Sequence, residues 1–583
     1  GKVAGEWKPV YNGDKLPLRA LKKTVNVDLK GQEFEAFRFK ATTKDGSGVL
    51  LDNISVVPDG PMIVQSVKVK SPQVPMLIRK NDAIISRLIV NAEGSKKADS
   101  VKNIYVSSKG STGLKDVESF SLYALANGSN DLSKAKKLAT CKPNTEMTYN
   151  IDHALANGEN VFAVQANLKA SANLANRIAA QIVSVKFSNK GLVKLSEEGT
   201  TSKRIGYNVA TSGDEVVRTD GSMMICKRMR IPGMVTTNAG SLLAVYDLRW
   251  SQNGDLPGDI DIGLSRSTNG GSSWEAPRPV VDMGEWLGES ESKNGVGDPA
   301  ILVDKKTGHI YIAGLVAHGL NRGWYWGISK PGLDPKDTGQ VVISKSEDDG
   351  KTWSTPKNIT REIKDPAWQL MLQGPGAGIS MRDGTLVFAF QYKVNLGTSQ
   401  QDRYIARSSI MYSKDHGASW KVAPGVNYPQ ETTEAQVVEL NDGSLMLNCR
   451  ISSGGRAVFT TKNLGETWTK HKTSGRGTFN MTGCMSSILR YSSTKDGDEK
   501  DILLFSGPAD GGKARRSHQS VRYSLDEGET WSTPYLLDQL GGGGYSCLTL
   551  IEEDGRRDIG IIYEGSQSNM AFERLTLEEL MKK

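Results

Sequence analysis

Long hydrophobic runs are absent from this sequence, which nowhere approaches the ~20 successive apolar residues of a membrane-spanning helix. We therefore expect no transmembrane segment. Cysteine is scarce, and its five positions have neither metal-ligand spacing nor the pattern of a disulfide scaffold, which favours buried free thiols. These cysteines are Cys141, Cys226, Cys449, Cys484 and Cys547. The six histidines are equally dispersed, so the sequence predicts no metal site.

The first ten residues, GKVAGEWKPV, lack the apolar core of a secretion signal, so a signal peptide either does not exist or has been removed. Hydrophobic residues make up 38% of the chain and glycine occurs 62 times, a composition typical of a turn-rich β protein rather than a helical or disordered one. Because 583 residues exceed one hydrophobic core, we expect two or more domains.

The N-terminal third of the chain is basic, whereas the remainder is slightly acidic. Residues 1–190 contain 28 Lys and Arg against 17 Asp and Glu, while residues 191–583 contain 45 against 48. Apolar or alternating runs at 63–69, 161–164 and 182–185, separated by turn residues, are typical of β-strands. We predict a β-sandwich with few helices over residues 1–190, with the domain boundary in the polar stretch 188–202.

Two roles fit the basic N-terminal region. Clustered lysines attract polyanions, so this domain is a candidate for binding anionic glycans. A supporting domain with a solvated basic face fits the same charge pattern at least as well. Binding of nucleic acid is disfavoured, because no aromatic residues interleave with the lysines.

One eight-residue pattern recurs five times in the C-terminal two-thirds of the chain: Ser/Thr-x-Asp/Asn-x-Gly-x-Ser/Thr-Trp. We call each copy an Asp box. The copies begin at Ser267, Ser346, Ser413, Thr461 and Ser524, at spacings of 79, 67, 48 and 63 residues. A recurring unit of this length predicts one four-stranded sheet per box, as in the blades of a β-propeller.

The residue types of the box predict a hairpin tip. The Asp or Asn is expected to cap the turn by accepting backbone N–H groups two or three residues on. The Gly supplies a positive φ, and the Trp covers the turn as a large apolar lid. We therefore expect the boxes to hold hairpins together and to carry no chemistry.

A resemblance adds to this interpretation. Arg230-Ile231-Pro232 stands near the start of the box-containing region, and this motif followed by several Asp boxes resembles the exo-α-sialidase (neuraminidase) family. The resemblance covers residues 200–583 and implies a six-bladed β-propeller, which we assign to residues 191–583. The sixth blade, which has no readable box, is expected to close from the two chain ends of the domain. One departure is Met229, where the family usually has Phe or Tyr.

The resemblance implies three arginines that clamp the carboxylate of the substrate sugar. Guanidinium groups suit this task because they match carboxylates bidentately. The corresponding positions are Arg230, Arg450 and Arg516. Arg516 is preferred over Arg515 because it precedes the box serine Ser524 by eight residues, and Arg515 stays the alternative.

The nucleophile implied by the resemblance is Tyr545, with Glu434 as its base. A carboxylate nucleophile would be repelled by the substrate's own carboxylate, whereas a neutral tyrosine would not, and sialidases are the tyrosine exception among glycosidases. A tyrosine with an ordinary pKa near ~10 needs an adjacent proton acceptor. Glu439 competes for the role of base, but it lies beside a predicted turn, which favours an exposed structural role.

Asp255 matches the family's general acid on a mobile loop. A carboxyl group acts as an acid near neutral pH when its pKa is raised, and desolvation on substrate binding would raise it. A turn-capping role beside Gly254 is the alternative interpretation. Asp259 and Asp261 are nearby rivals with poorer spacing.

The remaining matches concern binding and support. Arg249 and Asp298 match positions that contact the substrate's carboxylate region and its acetamido N–H, and Glu564 matches the carboxylate that holds the first arginine in place. Trp324 and Trp326 fit either a lining of the sugar pocket or the core of a blade.

These residues predict a retaining exo-α-sialidase that needs neither a metal nor an organic cofactor. The expected partners are sialylated glycans of glycoproteins, gangliosides and oligosaccharides, with no nucleic acid, and the protein is expected to be a monomer. The substrate's location and the resemblance imply a secreted, periplasmic or extracellular protein. A trans-sialidase and a non-catalytic sialic-acid-binding propeller are the alternatives.

Overall fold

The computed structural model describes residues 2–3, 6–7, 60–125, 131–195, 202–319, 325–395, 404–513 and 515–582. Across these residues the protein is built from β-strands, which confirms the all-β prediction. The helices of the described part are single turns: α-helices Tyr325–Ile328, Thr360–Ile363 and Leu577–Met581, and 3-10 helices Leu114–Asp116, Leu132–Lys134, Glu291–Lys293 and Thr494–Asp496. None of them has the length and hydrophobicity of a membrane-spanning segment.

Two antiparallel sheets make up most of the N-terminal region in its described residues, and they include all three predicted strands. In spatial order, the larger sheet contains Ile63–Lys70, Ile84–Glu93, Gly158–Leu168, Val117–Leu125 and Lys136–Cys141. The smaller sheet contains Leu192–Lys194, Gln181–Phe187, Ser100–Ser107 and Glu146–Ala154. Buried side chains of both sheets, among them Leu88, Phe120, Ile104 and Val185, belong to one hydrophobic cluster.

The stretch 188–202, predicted to contain the domain boundary, includes residues 196–201, which lie outside the described residues. Strand Ser202–Ala210 pairs in parallel with Met76–Ile78 and antiparallel with Arg177–Ala179, both from the N-terminal region. The cluster that fills the N-terminal sheets also continues into the next region, where it includes Trp250 and Phe572. The N-terminal sheets therefore share buried apolar surface with the rest of the protein.

The described residues from 202 onward form six further sheets, which we number I to VI along the chain. Their strands are as follows: sheet I, Arg228–Thr236, Leu242–Arg249, Ile260–Ser267 and Arg278–Val281; sheet II, Asn294–Val303, Ile310–His318, Gln340–Ser346 and Lys357–Asn358, with Gly376–Ala377 beside the first; sheet III, Met371–Gln373 and Ile379–Ser380 beside Leu386–Asn395, then Tyr404–Ser413 and Lys421–Val422; sheet IV, Thr432–Glu439, Leu445–Ile451, Arg456–Thr461 and Thr469–Lys470; sheet V, Ser487–Ser492, Ile502–Pro508, Gln519–Ser524 and Tyr535–Asp538; sheet VI, Ser546–Glu553, Arg556–Tyr563, Met570–Thr576 and Ser202–Ala210.

Sheet VI combines the two ends of this region, because its strand Ser202–Ala210 precedes sheet I and pairs with Met570–Thr576. The first strand of sheet I contacts the first strands of both sheet II and sheet VI, and sheets III, IV, V and VI contact one another in order. Two short hairpins complete the described strands: Lys2–Val3 with Glu6–Trp7, and Glu215–Val217 with Met223–Ile225.

Every Asp box lies in the turn between the third and fourth strands of one of sheets I to V. In the box of sheet II, the Ser346 hydroxyl accepts the N–H of Gly350, whose φ is +79°, and the Trp353 indole N–H donates to the Gly350 carbonyl. The Asp348 carboxylate accepts the N–H of Thr352, four residues on. This bond reaches one residue beyond the expected two or three, since the left-handed residues Asp349 and Gly350 turn the later N–H toward the carboxylate. The Lys351 N–H, three residues on, also acts to lower the pKa of Asp348.

The cysteines are free thiols, as expected. Four of the five are buried, whereas Cys141 on the edge strand of the larger N-terminal sheet is partly exposed. The expectation of burial was therefore wrong for Cys141 alone, because its strand is paired on one side only.

Candidate active site

The residues proposed for catalysis and binding come from five sheets and are linked by contacts into one cluster. Some of these residues stand on the first or second strand of sheets I, II and IV. The others lie in loops next to strands of sheets I, V and VI. By sheet, all these residues are Arg230, Arg249 and Asp255 in I, Asp298 in II, Glu434 and Arg450 in IV, Arg516 in V, and Tyr545 and Glu564 in VI.

Irregular backbone on the first strands of sheets I and II sets the direction of the side chains there. The pairing of sheet I shifts between Arg230 and Gly233, and the pairing of sheet II shifts between Gly297 and Ala300. Each irregularity contains a proline, Pro232 or Pro299, which has no N–H to donate to the ladder and is therefore suited to a bulge. Ile231 and Asp298 have φ of +63° and +54°, a left-handed conformation that is uncommon outside glycine.

Tyr545, Glu434 and Arg450 form the centre of the cluster. The Tyr545 hydroxyl donates to Oε1 of Glu434, and Nη1 of Arg450 donates to the same hydroxyl at 2.8 Å. The Arg450 guanidinium also contacts Oε2 of Glu434. Burial and the negative charge of Glu434 raise the pKa of Tyr545 well above its ordinary value, although Arg450 and Arg230 act in the opposite direction. The tyrosine is therefore a neutral phenol with a proton acceptor already in contact.

Two further arginines lie against the ring of Tyr545. The guanidinium carbons of Arg230 and Arg516 are 5.0 Å and 5.3 Å from the ring centroid. Arg516 donates to the backbone carbonyls of Gly543 and Gly483 at 3.1 Å and 3.3 Å. Cations held beside a tyrosine in this way form a positive surface suited to an anionic ligand.

Glu564 holds Arg230 in a bidentate pair, as expected of a supporting carboxylate. Nε and Nη2 of Arg230 donate to Oε1 and Oε2 at 2.9 Å and 2.8 Å, and the Ile231 N–H adds a bond of 2.9 Å. Burial acts to raise the pKa of Glu564, but the charge of Arg230 and these hydrogen bonds outweigh it and leave the pKa below its usual value. Glu564 is thus a carboxylate whose negative charge keeps Arg230 in place.

Asp255 lies at the open side of the cluster, with 53% of its side chain exposed. Its Oδ1 is 2.8 Å from Nη2 of Arg249 and 3.9 Å from Nη1 of Arg230. Asp298 is joined to the same group through Asp247, whose Oδ1 accepts the Asp298 N–H at 2.9 Å. Burial, followed by the charges of Asp247 and Asp255, raises the pKa of Asp298 well above its usual value.

The structure separates the alternatives from the preferred residues. Arg515 is exposed, whereas Arg516 lies on Tyr545. Asp259 pairs with Arg218, and Asp261 is buried and accepts the Trp250 indole N–H at 2.7 Å. Neither Asp259 nor Asp261 makes any of the contacts that link the residues of the cluster.

Glu439 is not the exposed side chain that its turn suggested. It accepts the Arg382 N–H at 2.9 Å, and its side chain is only 14% exposed. The loop of sheet III that contains Arg382 covers Glu439. The residues next to Glu439 in the sequence do not reveal this contact. Of the two tryptophans, Trp324 lies outside the described residues. Trp326 packs beside Leu256 and Tyr325, with the Lys393 ammonium 5.0 Å above its ring.

Sequence reasoning missed Asp247, which binds Arg249 through Oδ2 and Asp298 through Oδ1. The Asp-x-Arg spacing was the available signal, because residues two apart on a strand point to the same face. Another acidic group, Asp261, Asp282 and Glu291, has carboxylate oxygens within 4.8 Å of one another. Arg218 already lies among these carboxylates and bonds to Glu291, so a cationic side chain supplies their counter-charge.

A tyrosine hydrogen-bonded to a glutamate and flanked by arginines, one of which also contacts an exposed aspartate, has the groups that a glycoside hydrolase needs to act on an acidic sugar. Comparisons with known proteins bear on this class. Residues 231–533 match the BNR repeat-like domain, and residues 64–191 match the N-terminal domain of BNR-repeat neuraminidase.

Among relatives, a sialidase of Bacteroides fragilis is 36% identical over 548 residues, which cover 89% of this chain and 96% of that protein. A sialidase of Paraclostridium sordellii is 30% identical over 360 residues, covering 60% and 83%. The chain therefore belongs to the BNR-repeat neuraminidase, or sialidase, family and is a glycoside hydrolase.

Solved structures agree with this assignment. A Hadza microbial sialidase, 34% identical, superposes with a TM-score of 0.78 over 88% of this chain and 99% of that one. The intramolecular trans-sialidase of Ruminococcus gnavus, 19% identical, covers 64% of this chain and 98% of that one with a TM-score of 0.51, a likeness of fold alone.

Proposed function

We propose that this protein is a retaining exo-α-sialidase that releases terminal α-linked sialic acid through a covalent intermediate on Tyr545. The observation that carries the proposal is the contact of the Tyr545 hydroxyl with both Glu434 and Arg450. A neutral phenol avoids the repulsion that an anionic nucleophile would meet beside the carboxylate of the sugar. The adjacent glutamate supplies the base that a phenol requires.

Binding is assigned to the arginines. Arg230, Arg450 and Arg516 surround Tyr545, and their guanidinium groups would hold the carboxylate on the anomeric carbon beside the tyrosine oxygen. Arg249 and Asp298 would contact other groups on the same sugar. Glu564 keeps Arg230 oriented and does not itself react.

The reaction runs in two steps. Asp255 gives its proton to the glycosidic oxygen as that bond breaks, while the Tyr545 oxygen bonds to the anomeric carbon and its proton passes to Glu434. In the second step Asp255 takes a proton from water, the water oxygen replaces Tyr545 on the anomeric carbon, and Glu434 returns the proton to the tyrosine. Two displacements at one carbon retain the α configuration.

The architecture proposed with this function has two domains. Sheets I to VI would be the blades of a six-bladed β-propeller over residues 191–583, a proposal supported by the contacts between successive sheets and between sheets VI and I. Residues 1–190 would contain a β-sandwich, supported by the shared core of the two N-terminal sheets. The proposed substrates are sialylated glycoproteins, gangliosides and oligosaccharides, and we propose that the protein acts on them outside the cytoplasm.

The function is tested with α2,3-sialyllactose and excess lactose, followed by proton NMR from the first minute. We expect free sialic acid to appear first as the α anomer. Initial release of the β anomer would overturn retention, and predominant transfer of sialic acid to the added lactose, seen with isotope-labelled lactose, would establish a trans-sialidase. Binding without any turnover would favour the non-catalytic alternative.

A further inference from the structure

The residue Asp247 lies at the junction of sheets I and II, directly behind the candidate active site. It stands on the second strand of sheet I, opposite Arg230 in the register, and is only 2% exposed. A buried carboxylate is costly unless it is paired and hydrogen-bonded, so its partners define its role.

The two oxygens of Asp247 serve two different residues of the site. Oδ2 accepts hydrogen bonds from Nε and Nη2 of Arg249 at 3.1 Å and 2.8 Å. Oδ1 accepts the backbone N–H of Asp298 at 2.9 Å. A side chain on Gly297 would begin 3.0 Å from Oδ1, so a larger residue there would press on the Asp247 carboxylate.

Each of these hydrogen bonds positions a residue that is proposed to bind or act on the substrate. With its guanidinium held by Asp247, Arg249 presents Nη2 to Asp255 at 2.8 Å and Nη1 to the Asn253 carbonyl at 3.1 Å. Arg249 thereby joins the buried strand to the loop that carries the proposed acid. Asp298 keeps a left-handed backbone, with φ of +54°, while its N–H is held by Asp247 and its carbonyl accepts from the Gln373 amide.

We propose that Asp247 is a positioning residue: it orients Arg249, and through it Asp255, and it fixes the bulge that presents Asp298. The inference rests on the proposed function, because it concerns delivery of a proton by Asp255. Asp247 itself is covered by Arg249 and the strand of Asp298 and does not face the substrate.

The substitution Asp247→Asn is the most specific test, because it keeps the side-chain volume but replaces one acceptor oxygen by an N–H donor. That donor must face either Arg249 or the Asp298 N–H, which are themselves donors, so one of the two connections is lost. The matched control is Asp261→Asn, a similarly buried carboxylate on the neighbouring strand of sheet I that bonds to the Trp250 indole.

The experiment compares two substrates with the unaltered enzyme, Asp247→Asn and Asp261→Asn. Sialyllactose needs a proton donor for its leaving group, whereas an aryl sialoside with an acidic phenol leaves largely without one. We expect Asp247→Asn to lower kcat on sialyllactose about tenfold more than on the aryl sialoside, which is a part of the ~10²- to 10⁴-fold effect of general acid catalysis. The control should keep the substrate ratio of the unaltered enzyme.

Equal losses on both substrates, or the same ratio in both variants, would overturn the inference while leaving the proposed function intact. If Asp247→Asn folds poorly, Arg249→Lys provides the second test, since it breaks the same link from the other side and should change the ratio in the same direction. No turnover by the unaltered protein would instead overturn the proposed function, and this inference with it.

Discussion

The Asp boxes and the candidate active site both contain aspartates, but their carboxylates are held in different ways. In the box of sheet II, the carboxylate of Asp348 bonds to the hydroxyl and N–H of Thr352, which lower its pKa to about 2. In the site, Asp247 is buried and Asp298 beside it is partly buried, and their removal from water raises the pKa of both carboxylates. The carboxylate of Asp348 is satisfied within its own turn, whereas the site also uses partners from other sheets, as Asp247 does with the Asp298 N–H.

The number of residues that separate two bonded side chains along the sequence also differs between the boxes and the site. The box bonds join residues four apart, but the bonds between Arg230 and Glu564 join residues 334 apart, and those between Tyr545 and Glu434 join residues 111 apart. An aspartate whose carboxylate is bonded within its own turn stabilises that turn but is not available to act on a substrate. The reactive groups therefore stand where strands of different sheets meet, and the repeat supplies the frame that brings them together.

The largest effect is expected for Tyr545→Phe. Removal of the nucleophilic oxygen should lower kcat on an aryl sialoside by at least ~1000-fold, because groups that act as a unit lose most of their effect together. Binding of sialic acid should stay measurable by calorimetry, since the arginines are unchanged. Turnover close to that of the unaltered enzyme would contradict the role of Tyr545.

The next effect distinguishes two adjacent arginines. Arg516→Ala removes a guanidinium that lies on Tyr545 and should lower kcat/KM roughly 10- to 100-fold, the loss expected for a charge-assisted hydrogen bond of about 1.5–3 kcal/mol. Arg515→Ala is the matched control, because its side chain is exposed and it should change kcat/KM less than twofold. The reverse order of effects would show that Arg515 is the third arginine.

A box variant should change stability and leave catalysis unchanged. Asp348→Ala removes the acceptor of the Thr352 N–H and is expected to cost about 1 kcal/mol in the free energy of unfolding, by analogy with the loss of a helix cap. Urea unfolding measures this loss, and kcat/KM per folded molecule should equal that of the unaltered enzyme. A tenfold loss of kcat/KM would mean that the boxes are not separate from the chemistry.

The smallest effect concerns pH. Because the pKa of Asp348 is lowered from 3.8 to about 2, its contribution to stability is complete above pH ~4 and is lost as pH falls toward 2. In Asp348→Asn this part of the acid dependence should vanish, so the unfolding midpoints of the two proteins should converge as pH falls from 4 to 2. A constant difference over that range would show that the carboxylate is not held in this way.

Much of the site was predictable because its residues stand in short motifs with recognisable neighbours, as Arg230 does before Ile-Pro. The position of the box turns followed from their own residue types. The partner of Glu439 was not predictable, since it depends on a contact between neighbouring sheets. For Asp247, the spacing to Arg249 was a signal, but its bond to the Asp298 N–H joins two sheets and had none. The reach of the box aspartate was also missed, because two successive left-handed residues change which N–H faces it.

The identity of the nucleophile is tested most directly by trapping it. The enzyme is incubated with 2,3-difluorosialic acid, whose fluorine at carbon 3 slows breakdown of a covalent adduct, then digested and analysed by tandem mass spectrometry. We expect one sialosyl adduct per molecule, on the peptide that contains Tyr545 and at its phenolic oxygen, and none in Tyr545→Phe. An adduct on Glu434 or Asp255, or full turnover of the probe with no adduct at any time, would contradict the proposed mechanism.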